Sequence, residues 1–157
     1  MTTLIDKDFP NYLLDIFAFD LVGPIEQVHN TKICLFKHRE TGKDFYVRFP
    51  AENPQDPVSS QRRFLNEIWI QIRLRHPAIQ FFRGFTMSRD VSVNGESYSS
   101  SLFFENDAVM SLQDMIDLEL KNQAPPEWTP TKKSCVVFGL AAALKYIHSK
   151  GVIHRNI

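Results

Sequence analysis

Five histidines, two cysteines and a set of charged side chains are the raw material from which this sequence could build a reactive site. Cys34 and Cys135 have no partners at the spacings used by zinc or redox motifs, so neither a structural zinc site nor a disulfide scaffold is expected. His29, His38, His76, His148 and His154 do not cluster in sequence as metal ligands do. Pattern places the remaining candidates. In KDFYVRF (43–49), strand alternation puts Phe45, Val47 and Phe49 on one face and Tyr46 and Arg48 on the other, so a cation is carried inward or into a cleft. In QRRFLNEIWIQIRL (61–74), Glu67 stands at the edge of an apolar helical stripe.

The elements that must position these groups change character along the chain. Strands are expected over 12–23, 32–38, 43–49, 78–85 and 99–105, with RETG (39–42) and Asn94-Gly95 as turn signals. Pro50, Pro54 and Pro57 break the chain, and Ser59 or Ser60 is the expected cap of a helix that carries Phe64, Ile68 and Ile72, widened by Leu65 and Trp69, and ends near His76-Pro77. A second helix is expected over 110–122, with apolar spacing at Leu112, Met115, Ile116 and Leu120, followed by a rigid Pro-rich linker at 124–130. A third runs from Thr131 to Ser149 with Val136, Val137, Leu140, Leu144 and Ile147 as its stripe and Gly151 as its stop. The fold class is α+β, sheet-rich first and helical second.

Composition narrows the function. Apolar residues make up 43% and charged residues 23%, which suits a packed core and excludes a mainly disordered chain. The 18 basic and 18 acidic side chains cancel, so no global field draws in nucleic acid or an anionic membrane. Acids run through the first 20 residues, where a secretory signal would need a basic start and an apolar run. The longest apolar run, VVFGLAAAL (136–144), is about half of the roughly 20 residues a bilayer span needs. A cytoplasmic protein is expected, without membrane or nucleic-acid partners.

Four segments in this order, KICLFKHRETGKDFYVRF (32–49), FLNEIWIQIRLRHPAIQFFRGF (64–85), LFFENDAVMSLQDMI (102–116) and AAALKYIHSKGVIHRNI (141–157), resemble the eukaryotic protein kinase domain from its first strand to its catalytic loop. The resemblance implies a protein kinase-like fold: a five-stranded antiparallel small lobe with one helix and a hinge over about 12–106, and the first helices of the helical large lobe over 107–157. In active members, ATP and magnesium lie between the lobes, with phosphoryl transfer assisted by a strand lysine, a helix glutamate and a catalytic-loop aspartate.

Carried over residue by residue, the three phosphate-loop glycines fall on Glu26, Val28 and Thr31, the lysine on Arg48, its helix partner on Glu67 and the catalytic aspartate on Asn156. Ile25, Ile33 and Tyr46 fall on the roof of the adenine pocket, Phe104 on its rear gate, and Glu105 and Asp107 on the hinge. Without the glycines, backbone N–H groups cannot approach phosphate freely, and the carboxylate of Glu26 repels it. Arg48 keeps the charge but not the compact ammonium, and the resemblance gives it a structural ion pair with Glu67. The Asp-Phe-Gly magnesium motif does not occur, so the magnesium ligands of the family are absent from the sequence.

The expected function is that of an inactive pseudokinase fragment with weak or no ATP binding and a binding or regulatory role. A protein partner would cover the apolar stripe of helix 131–149. The alternatives are a piece of an active ATP-dependent protein serine/threonine kinase and a gene remnant without selected function.

Overall fold

The computed structural model describes residues 9–28, 31–50, 55–87, 91–93, 96–98, 100–105 and 110–154. The fold is α+β, with seven strands and three α-helices among these residues. In chain order the elements are β1 (Phe19–Val28), β2 (Thr31–His38), β3 (Asp44–Phe49), α1 (Pro57–Arg73), β4 (Phe81–Thr86), β5 (Val91–Val93), β6 (Glu96–Tyr98), β7 (Ser101–Glu105), α2 (Leu112–Leu120) and α3 (Pro130–Ser149). The chain divides into two compact units, one of Met1–Arg75 with Gln80–Asn106, the other of His76–Ile79 with Asp107–Ile157.

The first unit holds an open five-stranded sheet in the order β1-β2-β3-β7-β4, with all neighbours antiparallel. β5 and β6 form a separate antiparallel pair between β4 and β7, flanking Asn94-Gly95, which lies outside the described residues. Alternation on β3 follows the sequence: Phe45, Val47 and Phe49 are buried and Tyr46 and Arg48 are half-buried. One face of the sheet is covered by a cluster of Ile16, Phe19, Cys34, Phe36, Phe45, Val47, Phe49 and Phe103. The other face packs Leu102, Phe104, Phe82 and Phe85 against Phe64, Ile68 and Ile72 of α1. β7 is therefore buried on both faces, which is why it reads as a continuous apolar run rather than an alternation. Its one polar core contact is made at the β4 register, where the hydroxyls of Thr86 and Ser101 share a buried hydrogen bond of 2.7 Å.

Several boundaries differ from the sequence expectation. Residues 12–18 are not strand: Phe9–Tyr12 and Ile16–Ala18 are 3-10 turns, and β1 begins at Phe19. Pro10 lacks the N–H that a strand would donate, and the Asp15 carboxylate accepts the Phe17 N–H at 3.0 Å, drawing the backbone into a turn. β4 and β7 likewise start later, at Phe81 and Ser101. The cap of α1 is Asp56, not Ser59 or Ser60; its carboxylate accepts the Ser59 N–H at 3.0 Å, and Pro57 supplies a preset φ at the first helical position. That helix ends at Arg73, because Leu74 turns extended and is buried. Leu65 faces solvent rather than widening the stripe, while Trp69 is half-buried beneath the Arg73 guanidinium, 3.6 Å from its ring centroid.

In the second unit, α2 opens on a capping box in which the Ser111 hydroxyl accepts the Asp114 N–H at 3.1 Å and the Asp114 carboxylate accepts the Ser111 N–H at 3.3 Å. α3 is capped by Thr129 and stopped by Gly151 at φ 72°, with the Val152 and Gly151 N–H groups bonded back to the Ile147 and His148 carbonyls at 2.9 Å each. Only part of the expected stripe of α3 is buried: Ile147 lies inside with Ala143, whereas Val136, Val137 and Leu140 face solvent together with Phe138. Leu112, Ile116 and Leu120 of α2 are also exposed. No helix among the described residues is long and apolar enough to cross a membrane.

The Pro-rich stretch between α2 and α3 is tied down by Glu119, whose carboxylate accepts from Lys133 Nζ and from the Trp128 indole N–H, the latter at 2.9 Å. Those two hydrogen bonds, Lys133 first, hold the Glu119 carboxyl below its ordinary range. A lowered folded-state value means stability that is complete above the unfolded value of about 4.3 and is lost as pH falls through the folded value. In a Trp69→Phe background, which leaves Trp128 as the reporter, Trp128 emission is expected to stay constant down to about pH 4.3 and to change only on the acid side of it. Glu119→Gln removes that acid step; a midpoint above the ordinary glutamate value would refute the assignment.

Candidate functional site

The candidate site is built on the α1-facing side of the sheet. Residues directly opposite one another in antiparallel strands share a face. Ile33 of β2 lies opposite Arg48, Arg48 opposite Leu102, and Tyr46 opposite Phe104. Ile33, Tyr46, Arg48, Leu102 and Phe104 therefore form one patch, apolar except for the guanidinium and the phenol. Strand alternation brings Arg48 to this side, and the spacing of α1 brings Glu67 to meet it, one position before the fully buried Ile68.

Arg48 Nη2 and Glu67 Oε1 form an ion pair that bridges β3 and α1, each side chain about one-third exposed. The guanidinium also lies 5.6 Å from the Phe104 ring centroid, within cation–π range. Burial pushes the Arg48 pKa down from its ordinary value. Arginine nonetheless stays cationic in proteins at any physiological pH.

Glu105 follows Phe104 but is turned toward cations rather than toward Arg48. Its carboxylate takes Lys43 Nζ at 2.7 Å and stands 4.0 Å from Arg83 Nε. Lys43 precedes β3, and Arg83 sits where the β4–β7 register jumps between Phe82 and Gly84, so the three meet through a bulge. Neither partner of Glu105 is recognisable from local sequence pattern.

The expected site residues thus fall into three groups. Ile33, Tyr46, Arg48, Glu67 and Phe104 share one side of the sheet. Glu105 has cationic partners of its own. Asp107 and Asn156 lie outside the described residues, as does the side chain of Ile25, whose backbone occupies the second register jump of β1, between Pro24 and Glu26. Leu102 was not among the expected residues; the apolar run LFF at 102–104 is the signal that marks it as part of the patch.

What the arrangement does chemically is to fix a cation. Arg48 is engaged by a carboxylate and by an aromatic ring, so its guanidinium is held in place and its charge is balanced. That fits a structural link between strand and helix better than a free phosphate grip. Among the described residues, no three His, Cys, Asp or Glu side chains are grouped to hold a metal ion. The fold and site together define an α+β protein with a five-stranded antiparallel open sheet braced to one helix by an ion pair. Compared with known proteins, the chain matches no family model and no curated sequence.

Proposed function

We propose that the chain is a catalytically inactive protein kinase-like protein with weak or no ATP binding, cytoplasmic, and acting through binding or regulation. The observation that carries this reading is the Arg48–Glu67 pair: the strand position and the helix position that the resemblance matches are in contact, across a five-stranded sheet with one helix following its third strand. Inactivity is supported by residue chemistry. Arg48 replaces the compact lysine and is already engaged by Glu67 and Phe104, glycines are lacking at 26, 28 and 31, and the catalytic base position holds the amide of Asn156. A binding role is supported by α3, which leaves Val136, Val137, Phe138 and Leu140 in solvent as a surface for a protein partner.

Thermal melting with and without ATP and magnesium tests the nucleotide part. A shift below about 2 °C at millimolar ATP is expected, because a ligand stabilises the folded state only in proportion to its affinity for it. Labelled phosphate transfer from ATP to a peptide tests the rest, and none is expected. Magnesium-dependent transfer that disappears in Arg48→Ala would replace this reading with that of an active kinase.

A further inference from the structure

The segment before β1 runs along the outer edge of β4 and touches the side of the sheet that carries α1. Phe9 packs on Phe85 with ring centroids 4.7 Å apart, and Tyr12 stacks on Phe82 at 6.0 Å with 23° between planes. Both pack against the cluster that contains Phe64, Ile68 and Ile72 of α1. Tyr12 Oη accepts a hydrogen bond of 2.8 Å from Arg75 Nη2, and Arg75 lies just past the end of α1, its Nη1 donating to the Leu74 carbonyl at 3.0 Å. The same guanidinium lies 4.7 Å from the Phe81 ring centroid and 5.7 Å from that of Tyr12. Farther along, Leu14 and Ala18 pack against the cluster on the opposite face, where Ile16 is buried. Residues 9–18 thus wrap around the sheet edge and join its two cores.

The two halves of this wrap are held unequally. Ile16 is anchored in a core, whereas residues 9–14 are joined to β4 by an isolated bridge between Leu13 and Phe85 and by the Leu14 N–H to Phe85 carbonyl bond of 2.9 Å, with Leu13 exposed. Segments with few backbone bonds to a sheet and exposed side chains open at lower free energy than the core they cover.

We propose that residues 9–14 are a cis-acting latch on α1: docked, Phe9 and Tyr12 fix the C-terminal end of the helix through Arg75 and the shared cluster, and so hold Glu67 at Arg48; undocked, they free the helix. The inference rests on the contacts of the first unit and not on the kinase-like reading. It gives the ion pair a control point on the same side of the sheet, operated by two aromatic rings and one hydroxyl.

Hydrogen–deuterium exchange on the full chain tests it. In Phe9→Ala/Tyr12→Ala, amides of α1 over 64–73 are expected to exchange about tenfold faster, while those of β2 and β3 change less than about twofold. Val47→Ala, which weakens the opposite core, serves as the control that speeds both regions together. Should the double variant not fold, Tyr12→Phe, which deletes only the hydroxyl that accepts from Arg75 Nη2, is expected to speed α1 amides selectively by about threefold. An unchanged α1, or a uniform rise across helix and sheet in the latch variants, would overturn the proposal.

Discussion

Gly84→Ala is expected to cost about 2–3 kcal/mol and to lower the melting midpoint by roughly 10 °C, the scale of overpacking in a closely fitted site. A Cβ on Gly84 would stand 2.7 Å from Leu14 Cγ and 2.9 Å from Leu14 Cδ1, and closer still to the Tyr12 carbonyl oxygen. Leu14 could rotate away, but the Tyr12 carbonyl is backbone and moves only with the segment that carries it. Relief therefore requires residues 12–14 to leave β4, breaking the Leu14 N–H to Phe85 bond and the Leu13–Phe85 bridge. This sets a ceiling on the effect: the loss cannot exceed the free energy of docking the segment, since undocking removes the clash. Urea unfolding of Gly84→Ala against the native chain therefore gives a lower bound on that docking free energy. A change within about 0.5 kcal/mol, the range of ordinary surface substitutions, would mean that the contact of Tyr12 and Leu14 with Gly84 is relieved at almost no cost and does not hold the segment closely to β4.

The same segment marks where sequence reading stops. Residues 12–23, YLLDIFAFDLVG, mix aromatic and branched side chains, and that composition alone assigns 12–18 to the sheet. What overrides it is local: Pro10 has no N–H, and Asp15 captures the Phe17 N–H. β3 and α1 were legible because one side of each is buried, so Phe45, Val47 and Phe49 recur every two residues and Phe64, Ile68 and Ile72 every four. The cap of α1 was not, because Asp56 is hidden among prolines while two serines nearby look equally able to cap. At the candidate site, periodicity placed Arg48 on one strand face and Glu67 at the edge of a helix stripe, and the resemblance to the protein kinase domain paired them. The partners of Glu105 could not: Lys43 and Arg83 reach it only through the register of β3, β7 and a bulged β4, and register is a tertiary property.

The bulges also bear on what the sheet can do. β1 carries two register jumps, between Leu21 and Gly23 and between Pro24 and Glu26, and β4 carries one. β1 and β4 are the two edges of the sheet. Bulges and a proline at an edge discourage pairing with another chain, and β4 is further covered by the latch. Among the described residues the exposed apolar surface of α3 has no comparable protection, so the proposed binding role rests on it and not on a sheet edge.

Glu67→Ala is expected to cost about 2 kcal/mol, well above the value of a surface ion pair and below that of a fully buried one, because both partners are about one-third exposed. Most of that loss is the stranding of Arg48: its guanidinium would keep its charge, about one-third exposed, on a patch lined by Ile33, Leu102 and Phe104, with the Phe104 ring left to meet it among the described residues. Arg48→Met should therefore cost less than Glu67→Ala, since it removes the charge that needs a partner. The double variant Arg48→Met/Glu67→Leu is expected to fall within about 1 kcal/mol of the native chain, because two apolar side chains suit a face that is already apolar. A double-mutant cycle by urea unfolding separates this from its alternative. Strong coupling with a stable apolar double variant assigns the pair a bracing role. If the two losses simply add, and ATP protects the native chain but not Arg48→Met, the guanidinium is holding phosphate and the pair is part of a working nucleotide site.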